Sequence, residues 1–233
     1  MVYAGIVAGG TGSRMGADMP KQFLKIKGEE IILRCVKRFL EVAEIELIYI
    51  AVHPDWLAFT DELFSNALNK TDLDRIRTVT GGKDRNASVF RIIEAIEAQG
   101  SLSEDDILLT HDAVRPFVSG ATIRENISCA QKYTVCTTAV PATDTILFSE
   151  NNQTISNTLV RAGLWHAQTP QSFKIKAILR AYEQLNDQQR SKLTDVCGIF
   201  TAAGEEIRIV GGDVSNIKLT TPFDLKLAEA ILG

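Results

Sequence analysis

The sequence has no stretch near the about 18 consecutive apolar residues that a membrane-crossing helix requires, so no spanning segment is expected. It also lacks a surplus of positive charge: 25 Lys and Arg stand against 29 Asp and Glu, a net charge of −4. A general affinity for nucleic acid or anionic lipid needs a basic surface, so neither is an expected partner and only local basic sites stay open. The chain enters the strand-like run Tyr3–Val7 without a basic leader and apolar segment ahead of it, which makes a cytoplasmic location the expectation. Cysteine is sparse. Cys35, Cys129, Cys136 and Cys197 are scattered with no CxxC pair, so they read as small buried hydrophobes, without a disulfide or metal framework. Internal repeats and low-complexity segments are missing too.

What is present suffices for a globular core. The chain has 233 residues, 45% of them hydrophobic, enough for one large domain spanning 1–233. Short branched runs recur at Tyr3–Val7, Leu47–Val52, Arg77–Thr80, Ile107–Thr110, Val135–Ala139 and Ile207–Val210, each of strand length. Between most of them, Ile31–Leu40, Trp56–Leu68, Asn86–Gln99, Thr122–Lys132 and Ile175–Leu185 carry apolar residues at helical intervals. Strands taking turns with helices predict an α/β fold, a Rossmann-like, mostly parallel sheet with helices on both faces. The alternation breaks between Thr143 and Arg161, where a polar turn at Ser149–Gln153 sits between strand-like flanks. That pattern predicts a β-arm projecting from the sheet at about 141–162.

The most informative segment is Ala8-Gly9-Gly10-Thr11-Gly12-Ser13-Arg14-Met15-Gly16, followed by Pro20-Lys21. Glycines let backbone N–H groups crowd an anion, and Arg14 and Lys21 bring the positive charge that a triphosphate needs. The spacing is not the P-loop pattern GxxxxGK[ST], because Lys21 lies well past Gly16. The third glycine is also one residue late for GxGxxG, which argues against an NAD-linked oxidoreductase on the same architecture. A glycine-rich strand-to-helix turn with no ligand is the plain alternative.

Further polar groups follow other strands. Asp112, in the segment His111–Pro116 that directly follows Ile107–Thr110, is delivered to the same sheet rim and suits a ribose hydroxyl or a magnesium ion borne by a nucleotide; its bland role is to cap a helix after Pro116. His111 reads as a hydrogen-bonded structural residue. Gly81-Gly82-Lys83-Asp84-Arg85-Asn86-Ala87-Ser88 is a second glycine turn, able to read a base edge or to be an ordinary turn capped by Asn86 or Ser88. Asp144-Thr145, Arg161, Thr169-Pro170-Gln171, Thr194-Asp195 and Asn216-Ile217-Lys218 add polar groups whose weight is collective, with Lys218 a third cation for an anionic substrate.

In order along the chain, AGGTGSRMG with PKQF, GGKDRNAS, HDAVRPF, TDT, R-x3-WHAQTPQSF, TD and NIKLTTPFDL resemble the cytidylyltransferases that couple CTP to a small polyol phosphate. The likeness covers essentially the whole chain. One branch of that family acts on 2-C-methyl-D-erythritol 4-phosphate in isoprenoid synthesis, and another acts on D-ribitol 5-phosphate in teichoic acid synthesis. The opening Tyr3-Ala4-Gly5-Ile6, Val114, Phe117, the Ala142–Ile146 string and Leu193–Cys197 resemble the ribitol branch, whereas Leu164-Trp165-His166-Ala167 resembles the isoprenoid branch. The resemblance implies a nucleotide-diphospho-sugar transferase type of fold and the release of pyrophosphate as CDP-ribitol forms. It implies that Ala8, Gly9, Gly10, Gly82, Ser88, Asp112 and Ala113 hold CTP, and that Arg14, Lys21 and Lys218 bind the reacting phosphates. Arg115, Thr145, Arg161, Thr169 and Thr194 would hold the acceptor, with Mg²⁺ as the divalent cation and Asp112 as its candidate ligand. Family members are homodimers with interlocked arms, so Thr145 and Arg161 would complete the partner's site. A reading of another class, a non-catalytic nucleotide-binding module on the same fold, has the retained cations and Asp112 against it.

Overall fold

The computed structural model describes residues 1–10 and 19–233. Within them the chain forms β1 (Val2–Ala8), the short ribbon β2 (Lys25–Ile26) and β3 (Glu29–Glu30), α1 (Ile31–Leu40), β4 (Leu47–Val52), α2 (Leu57–Ala67), α3 (Lys70–Leu73), β5 (Ile76–Thr80), α4 (Arg85–Glu97) and β6 (Ile107–Asp112). Then come α5 (Gly120–Lys132), β7 (Val135–Pro141), β8 (Leu147–Phe148), β9 (Asn157–Thr158), β10 (Trp165–Lys174), α6 (Ile175–Glu183), α7 (Asp187–Arg190), α8 (Val196–Ala202), β11 (Arg208–Gly211) and α9 (Pro222–Ile231).

Seven strands join in the order β11-β7-β10-β6-β1-β4-β5. Every pairing is parallel except the two made by β10, which runs against both β6 and β7. The central strands β1, β4 and β6 are buried on both faces, as strands inside a parallel sheet are, which explains their largely apolar runs. On one face Ile6, Ile48, Ile50 and Leu109 meet Ile32, Val36 and Phe39 of α1, Phe64 of α2, and Ile123 and Ile127 of α5. On the other face Tyr49, Leu108 and Phe173 meet Ile92, Ile93 and Ile96 of α4, Ile178 of α6, and Ile199 and Phe200 of α8. Each such fully buried side chain contributes about 1.5–3 kcal/mol. No helix among the described residues is long and apolar enough to cross a membrane.

Topology fixes where a ligand can bind. From β1 the chain steps to β4 and β5 on one side, then crosses back to lay β6 on the other side. The crevice outside the carboxyl ends of β1 and β6 is therefore the point where the winding reverses, the usual ligand position in an open α/β sheet. Val7 lies in register with Asp112 there, and the Ala113 amide donates to the Val7 carbonyl at 3.1 Å.

Several expectations need correction. Residues Trp165–Lys174 form the long central strand β10, which was not expected because Pro170 and its polar neighbours do not read as a buried strand. The sheet accommodates Pro170 by shifting register between Ala167 and Gln171, and the Thr138 hydroxyl bonds the Pro170 carbonyl at 2.8 Å. The cap of α4 is Asp84, whose carboxylate accepts from the Ala87 amide at 2.8 Å, and not Asn86 or Ser88. No helix follows Pro116 directly; α5 starts at Gly120 under a Ser119 cap, so Asp112 is not a helix cap. Cys129 and Cys136 are joined as a disulfide, because the chain reverses between α5 and β7 and returns one cysteine beside the other. Of the two free cysteines, Cys35 is buried and Cys197 half-buried.

Candidate active site

A cleft of about 250 Å³ occupies the β1/β6 crevice. One wall is the end of β1 with Ala8, Gly9 and Gly10, backed by Lys21 and Gln22. Gln22 is 2% exposed, and its amide donates to the carbonyls of Ala8 at 2.6 Å and Gly10 at 3.0 Å. Those carbonyls are thus engaged on the protein side of the strand end.

The second wall is the loop from β5 into α4. The Ser88 hydroxyl accepts from the Gly82 amide at 3.0 Å and donates to the Asp84 carbonyl at 2.9 Å, which closes the loop on itself. Space there admits only glycine: a Cβ on Gly82 would run into Ala87 and come within 2.9 Å of the Ser88 amide nitrogen.

Asp112 forms the floor, at the end of β6. Its Oδ1 lies 3.0 Å from Arg85 Nε, its Oδ2 lies 2.8 Å from Lys218 Nζ, and Arg115 Nε stands 3.7 Å from Oδ2. Burial alone would disfavour the carboxylate, but the Arg85 guanidinium and the Lys218 ammonium together hold its carboxyl well below the usual range. It is ionised at every pH at which the protein would work.

Behind Asp112 lies a neutral relay. The Thr169 hydroxyl accepts from the Asp112 amide at 3.2 Å and pairs with His111 Nδ1 at 2.9 Å. His111 Nε2 meets the Arg115 carbonyl at 3.0 Å. A carbonyl can only accept, so Nε2 carries the proton and Nδ1 accepts from Thr169. Burial pushes the His111 imidazole down to about 4, in keeping with a structural residue.

The structure thus brings Ala8, Gly9, Gly10, Lys21, Gly82, Ser88, Asp112, Ala113 and Lys218 together around one cleft. Arg115 and Thr169 stand just behind it, and the Arg115 guanidinium also donates to the Asn216 carbonyl at 2.7 Å. Arg14 lies outside the described residues. Thr145 and Arg161 sit exposed on the arm, where β8 pairs with β9, and are not among the described residues lining the cleft; the Arg161 guanidinium donates to the Thr143 carbonyl at 3.0 Å. Thr194 is exposed beside Asp195, the cap of α8.

Sequence reasoning passed over Arg85 and Gln22, and singled out Gln171 only within a polar segment, with no role of its own. Arg85 stood inside a motif read for its glycines, and only the fold carries it to Asp112. No group of three or more His, Cys, Asp or Glu that could hold a metal occurs among the described residues. Both Asp112 oxygens already face cations, so the donor set does not fit a metal held by the protein.

Residues 2–233 match the profile of the family described as IspD, 2-C-methyl-D-erythritol 4-phosphate cytidylyltransferase. Among solved structures, a 4-diphosphocytidyl-2C-methyl-D-erythritol synthase from Anaerococcus prevotii DSM 20548 is similar at 27% identity and a TM-score of 0.81, over 100% of this chain and 96% of that one. The Francisella tularensis 2-C-methyl-D-erythritol 4-phosphate cytidylyltransferase is similar at 27% identity and a TM-score of 0.80, over 98% of each chain. The enzyme of that name from Thermus thermophilus is similar at 25% identity and a TM-score of 0.73, over 99% of this chain and 98% of that one. The doubly covered, mostly parallel sheet is therefore the Rossmann-like fold of these nucleotidyltransferases.

Proposed function

This chain belongs to the 2-C-methyl-D-erythritol 4-phosphate cytidylyltransferase family, and we propose, from the likeness of Tyr3-Ala4-Gly5-Ile6, Val114, Phe117, Ala142–Ile146 and Leu193–Cys197 to the ribitol branch, that it joins CTP to D-ribitol 5-phosphate, giving CDP-ribitol and pyrophosphate. It is a CTP-dependent cytidylyltransferase. The observation that carries the reading is the cleft itself: Lys21, Arg85 and Lys218 gathered with a glycine-walled loop over one buried carboxylate.

The acceptor phosphate is already a competent nucleophile at neutral pH, so attack on the α-phosphorus needs no strong general base. The obstacle is charge. Two unit charges at 4 Å repel by about 4 kcal/mol at an effective dielectric near 20. Lys21 and Lys218 offset that repulsion and stabilise the charge that grows on the α-phosphoryl oxygens and the departing pyrophosphate. Arg14 joins them on the strength of the resemblance. Asp112 orients Lys218 and Arg85 while its backbone neighbourhood, with Ala113, receives the ribose. Ala8, Gly9, Gly10, Gly82 and Ser88 shape the pocket for the base and triphosphate. Mg²⁺ enters on the triphosphate, as part of the substrate.

Arg115, Thr169 and Thr194 receive the acceptor, and Thr145 and Arg161 reach the site of a second copy in a homodimer with interlocked arms. The exposed Leu147, Phe148, Ile155 and Val160 on the arm support that assembly. A cytoplasmic location places the enzyme with its CTP supply.

A second acceptor, 2-C-methyl-D-erythritol 4-phosphate, is favoured by the family match and by Leu164-Trp165-His166-Ala167. The two are separated by parallel incubation with CTP and Mg²⁺ and measurement of pyrophosphate. Faster release with ribitol 5-phosphate is expected. Faster release with methylerythritol 4-phosphate overturns the ribitol assignment, and none with either overturns the polyol phosphate reading.

A further inference from the structure

One buried amide joins the nucleotide side of the cleft to the loop that carries Thr194. Gln171, on β10 opposite Thr110 of β6 and Thr137 of β7, is 2% exposed. Its Oε1 accepts from Arg85 Nη1 at 3.2 Å, and its Nε2 donates to Asp195 Oδ2 at 2.7 Å, with Cys197 Sγ at 3.1 Å. The amide has one orientation only: a guanidinium can only donate and an ionised carboxylate can only accept, so a flip would break both charged contacts. Burial pushes the Cys197 thiol up to about 11, so it stays neutral beside the amide.

At each end of this amide stands a residue with a second task. Arg85 Nε holds Asp112 Oδ1 at 3.0 Å, while its remaining terminal nitrogen is buried with no protein partner. Asp195 Oδ1 accepts from the Gly198 amide at 2.9 Å and so fixes the start of α8, next to Thr194. Asp112, Arg85, Gln171 and Asp195 form a continuous chain of hydrogen bonds across the floor of the site. An apolar residue at 171 would fill the volume without needing polar partners to be aligned, so packing alone does not account for a buried glutamine here.

We propose that Gln171 is a positioning residue that couples the two substrate subsites: it fixes Arg85 toward the nucleotide and Asp195 toward the acceptor loop, so that occupancy of one subsite raises affinity for the other. The inference rests on the two-substrate reading above and deepens it. Movement of Arg85 on a bound nucleotide is felt at Asp195 because the amide can bend neither contact without loosening the other.

The test measures binding of ribitol 5-phosphate and of methylerythritol 4-phosphate by calorimetry, with and without α,β-methylene-CTP, whose α–β bridge does not break. In the unaltered protein the analogue should tighten the acceptor that supports pyrophosphate release by about fivefold or more. In Gln171→Met, which keeps volume and loses both bonds, the analogue should change acceptor affinity by less than about twofold, with the thermal midpoint serving as the check on folding. In the Gln171→Glu/Asp195→Asn double variant the introduced carboxylate accepts from both Arg85 and the introduced amide, so coupling should return. A purely structural role would not restore it. Undiminished coupling in folded Gln171→Met overturns the proposal, as does a lack of coupling in an unaltered protein that releases pyrophosphate normally. If pyrophosphate release and acceptor binding are both missing with either polyol phosphate, the functional reading fails and the coupling proposal falls with it.

Discussion

The Lys218 ammonium stands 2.8 Å from the Asp112 carboxylate, on the oxygen opposite the one held by Arg85. A flexible cation that is 43% exposed is thereby kept at the floor of the cleft and not left to sample solvent. When a triphosphate arrives, the same ammonium can donate to it without leaving the carboxylate, since it carries three N–H bonds. Lys218→Met should lower kcat about a hundredfold or more, the usual cost of losing one electrostatic contact to a transition state. The fold should survive because the substituted side chain is partly in solvent. Steady-state pyrophosphate release together with a thermal melt decides this; near-normal kcat in the folded variant would remove Lys218 from the reaction.

Lys21 is argued from the opposite wall. It lines the cleft beside Gly9 and Gly10 and follows Pro20 at the start of a single short turn. Lys21→Ala should also lose about a hundredfold in turnover with the fold intact. Wild-type turnover in folded Lys21→Ala would falsify its role.

Gly82 tests whether the loop from β5 into α4 is a wall for the nucleotide. In Gly82→Ala the new methyl meets Ala87 and the Ser88 amide, which belong to the first turn of α4 and cannot give way as a flexible side chain would. Relief requires moving the loop that Ser88 closes, at a cost of about 1–3 kcal/mol in stability, as for other overpacked sites. CTP affinity should fall more than acceptor affinity. Equal KM changes for the two substrates would show that this loop does not belong to the nucleotide side.

His111 gives a dependence of stability on pH. Its ordinary value of 6.5 falls to about 4 in the fold, first through burial, so between those values the unfolded chain binds the proton and the folded protein does not. The stabilisation is fully present above pH 6.5 and is lost progressively as pH falls toward 4, to a total of about 3 kcal/mol. His111→Gln, which can keep a donor toward the Arg115 carbonyl, should flatten that part of the stability curve in urea titrations. An unchanged slope in the folded variant would assign the acid sensitivity elsewhere.

The sequence made most of this site readable, for unequal reasons. Periodicity located α1 over Ile31–Leu40, which buries one face, and β4 over Leu47–Val52, an unbroken apolar run buried on both faces, to the residue. It missed β10, since Gln168, Thr169, Pro170 and Gln171 are there to bond across the site and do not look like strand interior. Hydrogen bonding across the sheet displaced strand propensity at those positions. Glycine loops announced two walls of the cleft through a local requirement, while Arg85 and Gln171 acquire their meaning only when the sheet brings them beside Asp112 and Asp195. The disulfide between Cys129 and Cys136 was hidden for a related reason, as it depends on how α5 turns back into β7.

The arm supplies the remaining test. Arg161 is exposed, its guanidinium donates to the Thr143 carbonyl, and it does not line the described cleft of its own chain. A guanidinium suits a phosphate by its two parallel N–H bonds, which a lysine cannot match, so Arg161→Lys should raise the KM for the acceptor more than that for CTP. Its position on the arm makes a sharper demand. If the arm completes the site of a second copy, a protomer carrying Arg161→Ala still has a sound Lys21, and one carrying Lys21→Ala still has a sound arm. Mixing the two inactive proteins under conditions that exchange subunits should then regenerate activity, since one site of each mixed dimer draws its cleft from the first chain and its arm from the second. If Arg161 served the cleft of its own chain, each site of a mixed dimer would carry one lesion, and no mixing ratio would restore pyrophosphate release.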